Sequence, residues 1–330
     1  MENPHLMEIE VEASRSEKRT RIIAVLEALF VTVLWSSSFV IIKIGLQDIP
    51  PLMFAGFRYS IASVILLALI FVQPKMQLSL RGRSKKWWSM LALYGCIYIT
   101  ATQGTQFLGL YYLPAITLSL LLNLTPMIVL LSAIPMLGEK PSRNETVLVT
   151  IGLIGVLLYF SSEIQVGFLG VSILGLLIGI TSLLANSASA LIGRAINRTL
   201  DTPPLVVTGI MMSIGSIFLM LLSLTIETMV PLSPTSWIYI LWLAVVNTAL
   251  AFTLWNRAMR VLRAVDMTLI NSTMMPQIVI LSIAFLGEFP DLLDWIGLIL
   301  LAISVAAVQY IQTRRLSNSD KANKRKANLS

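Results

Sequence analysis

The stretch LPAITLSLLLNLTPMIVLLSAIPMLGEKP, residues 113–141, decides how the chain reads. A second stretch, LRAVDMTLINSTMMPQIVILSIAFLGEFP at 262–290, repeats its design. Both are apolar, carry a proline in mid-segment and close on Leu-Gly-Glu-x-Pro. At an offset of 149 residues Leu113 meets Leu262, Ala115 meets Ala264, Gly138–Glu139 meets Gly287–Glu288, and Pro141 meets Pro290. Upstream, Trp88 meets Trp237 at the same offset. The central prolines, Pro126 and Pro276, miss by one residue. Nearer the start of each half, PPLMFAGFRYSIAS (50–63) resembles PPLVVTGIMMSIGS (203–216), with seven identities in fourteen positions.

The surroundings are as apolar as the repeats. Of 330 residues, 56% are hydrophobic and only 12% charged, against about a quarter charged in a soluble domain. Ten apolar runs emerge, at 22–44, 51–72, 88–110, 115–137, 146–162, 168–193, 204–226, 236–257, 264–286 and 293–312. A bilayer crossing needs roughly 20 helical residues, and in lipid a helix satisfies its own backbone. A barrel would need alternating polarity, which these runs lack. The sequence predicts an all-α integral membrane protein with ten transmembrane helices. No cleavable signal is expected before the first run, which is longer than a signal core.

Charge placement predicts orientation. With the N-terminus in the cytosol, 22 of the 24 Lys and Arg fall in cytosolic segments, leaving Lys43 and Arg58 toward the outside. The outer loops carry Asp48, Glu163, Glu227, Glu288, Asp291 and Asp294. This is the positive-inside pattern, and it places both termini in the cytosol. The net charge of +7 is thereby a feature of topology, and no nucleic-acid partner is expected. The tail 314–330 reads as an irregular basic segment near anionic headgroups.

Runs 2 to 5 pair with runs 7 to 10, and run 1 with run 6. Five helices per unit is an odd number, so the second unit enters the membrane from the opposite side. The predicted organisation is an N-terminal tail at 1–21, five-helix units at 22–162 and 163–313, and a C-terminal tail at 314–330. Inverted-topology repeats of this kind recur in secondary transporters, with the substrate site near midplane between the halves.

Two five-helix halves, each with a proline about a dozen residues before Leu-Gly-Glu, resemble the EamA-like branch of the drug/metabolite transporter superfamily. The segment LWSSSFVIIKIGLQDIPPLMFAGFRYSIA, 34–62, resembles the first two helices of that family in its Trp, small polar residues, helix-end Lys, proline and Arg-aromatic pair. The resemblance covers about residues 22–313 and implies a carrier of small metabolites, often an exporter, with a central cavity. The chain departs from a common family pattern at Asn123 and Thr125, where many members carry Glu or a small residue.

Polar residues mark the candidate site. Helix 6 places Ser182, Asn186, Ser189 and Gly193 on one face. Helix 3 places Tyr94, Tyr98, Thr102, Thr105 and Gln106 on one face at 100° per residue. Helix 4 adds Ser119, Asn123 and Pro126; helix 9 adds Thr268, Asn271 and Ser272; helix 8 adds Asn247 and Trp255; helix 1 adds Trp35 and Ser38. The substrate-binding candidates are Trp35, Ser38, Arg58, Tyr98, Thr102, Gln106, Asn123, Asn186, Asn247, Trp255 and Asn271. Single Asn and Ser residues also serve as interhelical hydrogen-bond partners worth under about 2 kcal/mol. Trp255, close to Arg257, reads equally as an interface anchor. Arg58 reads either as a carboxylate contact or as a side chain snorkelling to the surface. Glu27 is a candidate for proton coupling or an interfacial acid. Pro126 and Pro276 are candidate hinges, since proline removes a helical hydrogen bond. Glu139 and Glu288 read as acceptors for backbone N–H groups of their own turns.

Cys96 is alone and His5 is the only histidine, so no cofactor, metal site or catalytic residue is expected. The chain is read as a non-enzyme that moves small polar, amino-acid-like solutes across the plasma membrane, as a monomer or homodimer. Its partners are a small-molecule substrate and the lipid bilayer. The alternatives are a membrane channel and an intramembrane lipid-processing enzyme.

Overall fold

The computed structural model describes residues 4–137, 142–161, 172–199, 202–262, 267 and 270–327. Glu139, Thr268 and the boundary at 162/163 lie outside the described residues. Among the described residues the chain is helical throughout, with no strand. It is a multi-pass membrane protein. Among the described residues seven helices are long and apolar enough to cross a bilayer: Arg19–Gly45, Pro51–Val72, Ala115–Ser132, Ile173–Gly193, Pro204–Ile226, Pro234–Ala258 and Leu292–Ile311. A shorter apolar helix spans Ile270–Leu286.

In chain order the elements are α1 (Pro4–Gly45), α2 (Pro51–Val72), α3 (Pro74–Leu78), α4 (Lys85–Gly95), a π-helical stretch (Cys96–Gln103) and α5 (Gly104–Tyr112). Next come α6 (Ala115–Leu122), α7 (Thr125–Leu137), α8 (Arg143–Tyr159), α9 (Ile173–Thr199), α10 (Pro204–Ile226) and α11 (Pro234–Ala244). A second π-helical stretch (Val245–Leu250), α12 (Ala251–Ala258), α13 (Met274–Leu286) and α14 (Leu292–Ala327) complete the chain.

The helix starts are written in the sequence. Proline occupies the first turn of α2, α10 and α11, where no N–H partner is needed. Ser142 and Glu145 form a capping box on α8: the Ser142 hydroxyl accepts from Glu145 N at 3.3 Å, and Glu145 Oε2 accepts from Ser142 N at 2.6 Å. The tail read as irregular from 314 instead continues α14 to Ala327. That segment contains neither Gly nor Pro and is rich in Lys, Arg and Ala, all good helix formers.

Packing pairs the helices. α2 lies against α10, α8 against α14, α1 against α13, and α9 against α5 to α7. Small residues bring backbones together, as in membrane interfaces generally. A Cβ on Gly155 of α8 would stand 2.8 Å from Gly297 O of α14. Large apolar side chains such as Val72, Leu157 and Phe285 face outward, as a lipid-facing surface requires.

One end of the bundle is tied by charged side chains. Lys43, near the end of α1, donates to Leu110 O and Leu113 O at 2.7 Å each. Glu227 accepts from Leu52 N (2.8 Å) and Met53 N (2.7 Å) at the start of α2. Glu288 accepts from Ala115 N (2.8 Å) and Ile116 N (3.0 Å) at the start of α6. Each carboxylate thus satisfies orphan N–H groups at the positive end of a helix dipole. For Glu288 this corrects the sequence expectation: its partners belong to another helix. Its own turn is closed by Gly287 at φ 67°, a left-handed C-cap that suits glycine.

Candidate functional site

The central helices are irregular where they pass one another. α6 ends at Leu122 and α7 resumes at Thr125, just before Pro126. α13 begins at Met274, just before Pro276. Hydroxyls bond back at both breaks: Thr125 Oγ1 donates to Leu122 O at 2.6 Å, and Thr273 Oγ1 to Ile270 O at 2.7 Å. Both candidate hinge prolines therefore sit at helix breaks.

Two cavities lie among these helices. The inner one, about 230 Å³, is lined by Trp35, Ser38, Phe39, Arg58, Tyr59, Tyr98, Gln103, Gln106, Ser119, Leu122, Asn123, Asn186, Phe252, Asn271, Met274 and Ile278. The second, about 540 Å³, shares Trp35, Tyr98, Phe252 and Asn271 and adds Tyr94, Thr208, Met211, Trp255, Asn256 and Met259 among others. It extends toward the end of the bundle that carries Arg257 and Arg260. Among the described residues no Asp or Glu lines either cavity.

The inner cavity gathers eight of the eleven binding candidates: Trp35, Ser38, Arg58, Tyr98, Gln106, Asn123, Asn186 and Asn271. Trp255 lines the second cavity and packs on Trp35 at 4.9 Å between ring centroids. Its ring is therefore part of the interior wall, in place of an anchor at the membrane surface. Thr102 and Asn247 line neither.

Their exclusion has a physical cause in each case. The face assigned to helix 3 assumed 100° per residue, but Cys96–Gln103 is π-helical. In a π-helix the bonding step is five residues. The wider turn swings Gln103 round toward the face of Tyr98, and Gln103 lines the cavity while Thr102 does not. The Thr102 hydroxyl donates to Ile97 O at 2.9 Å, five residues back, and its carbonyl accepts from Ser182 Oγ at 3.4 Å. Asn247 is fully buried and spends its amide on α1, donating to Leu34 O, to Ser37 Oγ at 3.0 Å and to Ser38 Oγ at 3.1 Å. It is an interhelical clamp.

Arg58 is only 4% exposed. Nε donates to Thr248 Oγ1 at 2.9 Å, and an Nη donor lies 3.5 Å from Ser38 Oγ. The guanidinium carbon stands 5.2 Å from the Tyr59 ring centroid and 5.9 Å from that of Phe107. The side chain points into the bundle, so the snorkelling alternative does not describe it. Among the described residues it has no carboxylate partner. Gln103, which the sequence reading missed, accepts from the Tyr59 hydroxyl at 2.6 Å. Asn186 Nδ2 donates to Thr125 Oγ1 at 2.9 Å, tying α9 to the α6–α7 break. Asn123 Nδ2 donates to Ser119 O at 2.8 Å within its own helix.

Glu27 lies off both cavities. It pairs with Arg257 at 2.8 Å, the Arg side chain 65% exposed and the Glu 15%. Its Oε2 is buried with no hydrogen-bond partner among the described residues.

An α-helical membrane bundle with broken, kinked helices around a polar interior chamber is the architecture of a solute-handling membrane protein. The chain belongs to the EamA-like transporter family, whose sequence profile matches twice, at residues 22–161 and 173–310. An uncharacterized transporter, YoaV of Bacillus subtilis, is 31% identical over 133 residues, 40% of this chain and 44% of that protein. Another from the same organism, YvbV, is 26% identical over 58% of this chain and 60% of its own length. The matches thus span about half the length of these relatives. A probable amino-acid metabolite efflux pump of Escherichia coli is 25% identical over 243 residues, 69% of this chain and 75% of that protein. A protein of known crystal structure shares the fold, with a TM-score of 0.63 at 18% identity over 89% of this chain and 99% of that one.

Proposed function

We propose that the protein is a secondary transporter that moves small polar, amino-acid-like metabolites across the plasma membrane by alternating access, acting as an exporter. In this reading ten helices cross the membrane as two inverted five-helix halves, 22–162 and 163–313, with both termini cytosolic. The working unit is a monomer or homodimer.

The observation that carries the reading is the inner cavity itself, where Asn123 from the first half meets Asn186 and Asn271 from the second. Several features support the inverted pairing. The π-helical stretches begin at Cys96 and Val245, 149 residues apart by subtraction, the offset of the sequence repeat. The breaks near Pro126 and Pro276 fall in corresponding helices. The pairing of α1 with α13 has its counterpart in α9 with α7. Under this topology the second cavity faces the cytosol, and the Lys43, Glu227 and Glu288 ties close the outer end. Export is supported by the efflux role in the name of the Escherichia coli relative.

Counterflow in proteoliposomes tests the proposal. Unlabelled solute loaded inside should accelerate uptake of the same labelled solute from outside. A channel gives no such trans-stimulation, and an enzyme returns the label in an altered compound. Either result would remove the carrier reading.

A further inference from the structure

Among the described residues the inner cavity holds one fixed charge, Arg58, and no carboxylate to balance it. Arg58 is buried, and among the described residues Thr248 and Ser38 take its hydrogen bonds. A guanidinium has five N–H donors, so most remain for a ligand. Burying a cation without a counter-ion is costly, and the tyrosine and phenylalanine rings beside it offset only part of that cost. An anion supplied from outside the chain would complete the pairing.

The walls say what the rest of that anion looks like. Among the described residues neither cavity is lined by Asp or Glu, so none of these side chains offers a carboxylate to an ammonium group. An ammonium placed here would also meet the field of Arg58 at close range, where like charges repel. The lining also includes an aromatic pair, Trp35 and Phe252, with ring centroids 5.4 Å apart. At roughly 30 Å³ per water, the cavity of about 230 Å³ has the volume of about eight waters, which suits a small solute.

We infer that the inner cavity selects a monocarboxylate with an uncharged, apolar or aromatic body, such as an amino-acid derivative whose amino group is absent or acylated, over the corresponding zwitterion. Arg58 holds the carboxylate through charge-assisted hydrogen bonds, Asn123 and Asn271 offer neutral polar contacts, and Trp35 and Phe252 take the body. The inference rests on the reading of this cavity as the transport site.

The test uses the purified full chain and three probes of one shape: 3-phenylpropanoate, its amide 3-phenylpropanamide, and L-phenylalanine. Isothermal titration at neutral pH should show the carboxylate binding at least tenfold more tightly than either of the others. In Arg58→Met the carboxylate-to-amide ratio should fall to about one. The wild-type comparison stands alone if that variant fails to fold. L-Phenylalanine binding as tightly as 3-phenylpropanoate overturns the inference. So does a carboxylate preference that survives Arg58→Met, or no binding of 3-phenylpropanoate at all. Counterflow of another solute in the same preparation would then leave the carrier reading standing, whereas absence of any counterflow would count against that reading itself.

Discussion

Glu288 and Ala115 stand 173 residues apart in sequence, yet Glu288 Oε1 accepts a hydrogen bond from Ala115 N at 2.8 Å. The carboxylate binds the turn after α13 to the first turn of α6. It closes one end of the bundle beside Lys43, whose ammonium holds the carbonyls of Leu110 and Leu113. In Glu288→Ala two helix N–H groups lose their partner, at about 1–3 kcal/mol for a buried donor and less here, where water has access. The expected outcome is a bundle that opens more readily at this end. A single cysteine at Ser119, in a Cys96→Ala background, should react several-fold faster with an impermeant maleimide added from the Lys43 side. An unchanged labelling rate would show that the latch does not hold that end closed.

The π-helical register gives a second prediction. Gln103→Leu removes the acceptor of the Tyr59 hydroxyl from the cavity wall and should impair transport markedly. Thr102→Val loses one hydroxyl that bonds only to Ile97 O, and should leave transport within about twofold of wild type. Initial rates in proteoliposomes decide it, and the reverse order would mean that helix 3 functions in a regular α-helical register.

Asn123 and Asn247 should separate recognition from architecture. Asn123→Ala takes away a polar contact in the cavity, and unpairing a ligand group there costs about 1–3 kcal/mol, or roughly a five- to hundredfold loss of affinity. Asn247→Ala leaves Leu34, Ser37 and Ser38 without their shared donor and should lower thermal stability. Ligand titration and melting curves on both variants check this, and equal effects of the two substitutions on affinity would erase the distinction.

Pro276→Ala should slow transport while the protein still inserts and folds. Restoring a helical N–H would let α13 extend through the break that begins at Thr273. If Pro126→Ala and Pro276→Ala both transport at the wild-type rate, the breaks are tolerated interruptions with no part in motion.

Topology can be read with two further cysteines. At Ser84 and Asp291, each alone in a Cys96→Ala background, they should label from opposite sides, Ser84 from the cytosol. Labelling of both from one side would contradict the inverted halves.

Much of this was legible in the sequence for a physical reason. Lipid imposes its demand on composition, so runs such as 204–226 announce themselves without any knowledge of tertiary contacts. Polar groups are expensive in that medium, so Arg58, Asn123 and Asn186 stood out against their neighbours and do face a common chamber. Two kinds of information were hidden. The wider turn at Cys96–Gln103 leaves no mark in hydropathy, and it brought Gln103 onto the cavity wall. The partners of Glu288 and Asn247 are set by helix packing, so a residue that looked like a local cap became a tie between helices, and one that looked like a ligand contact became a clamp on α1.

The solitary cation at Arg58 bears on how such a carrier would respond to membrane voltage. With a monoanion bound, the moving core is electrically neutral; empty, it carries one positive charge. Voltage then leaves the loaded step alone and acts on the return of the empty protein. A full charge crossing 100 mV is worth about 2.3 kcal/mol, and a centrally held guanidinium would sense part of that. A cell interior that is negative would hold the empty site toward the cytosol, ready for the next intracellular anion, so the resting potential would itself favour outward cycling.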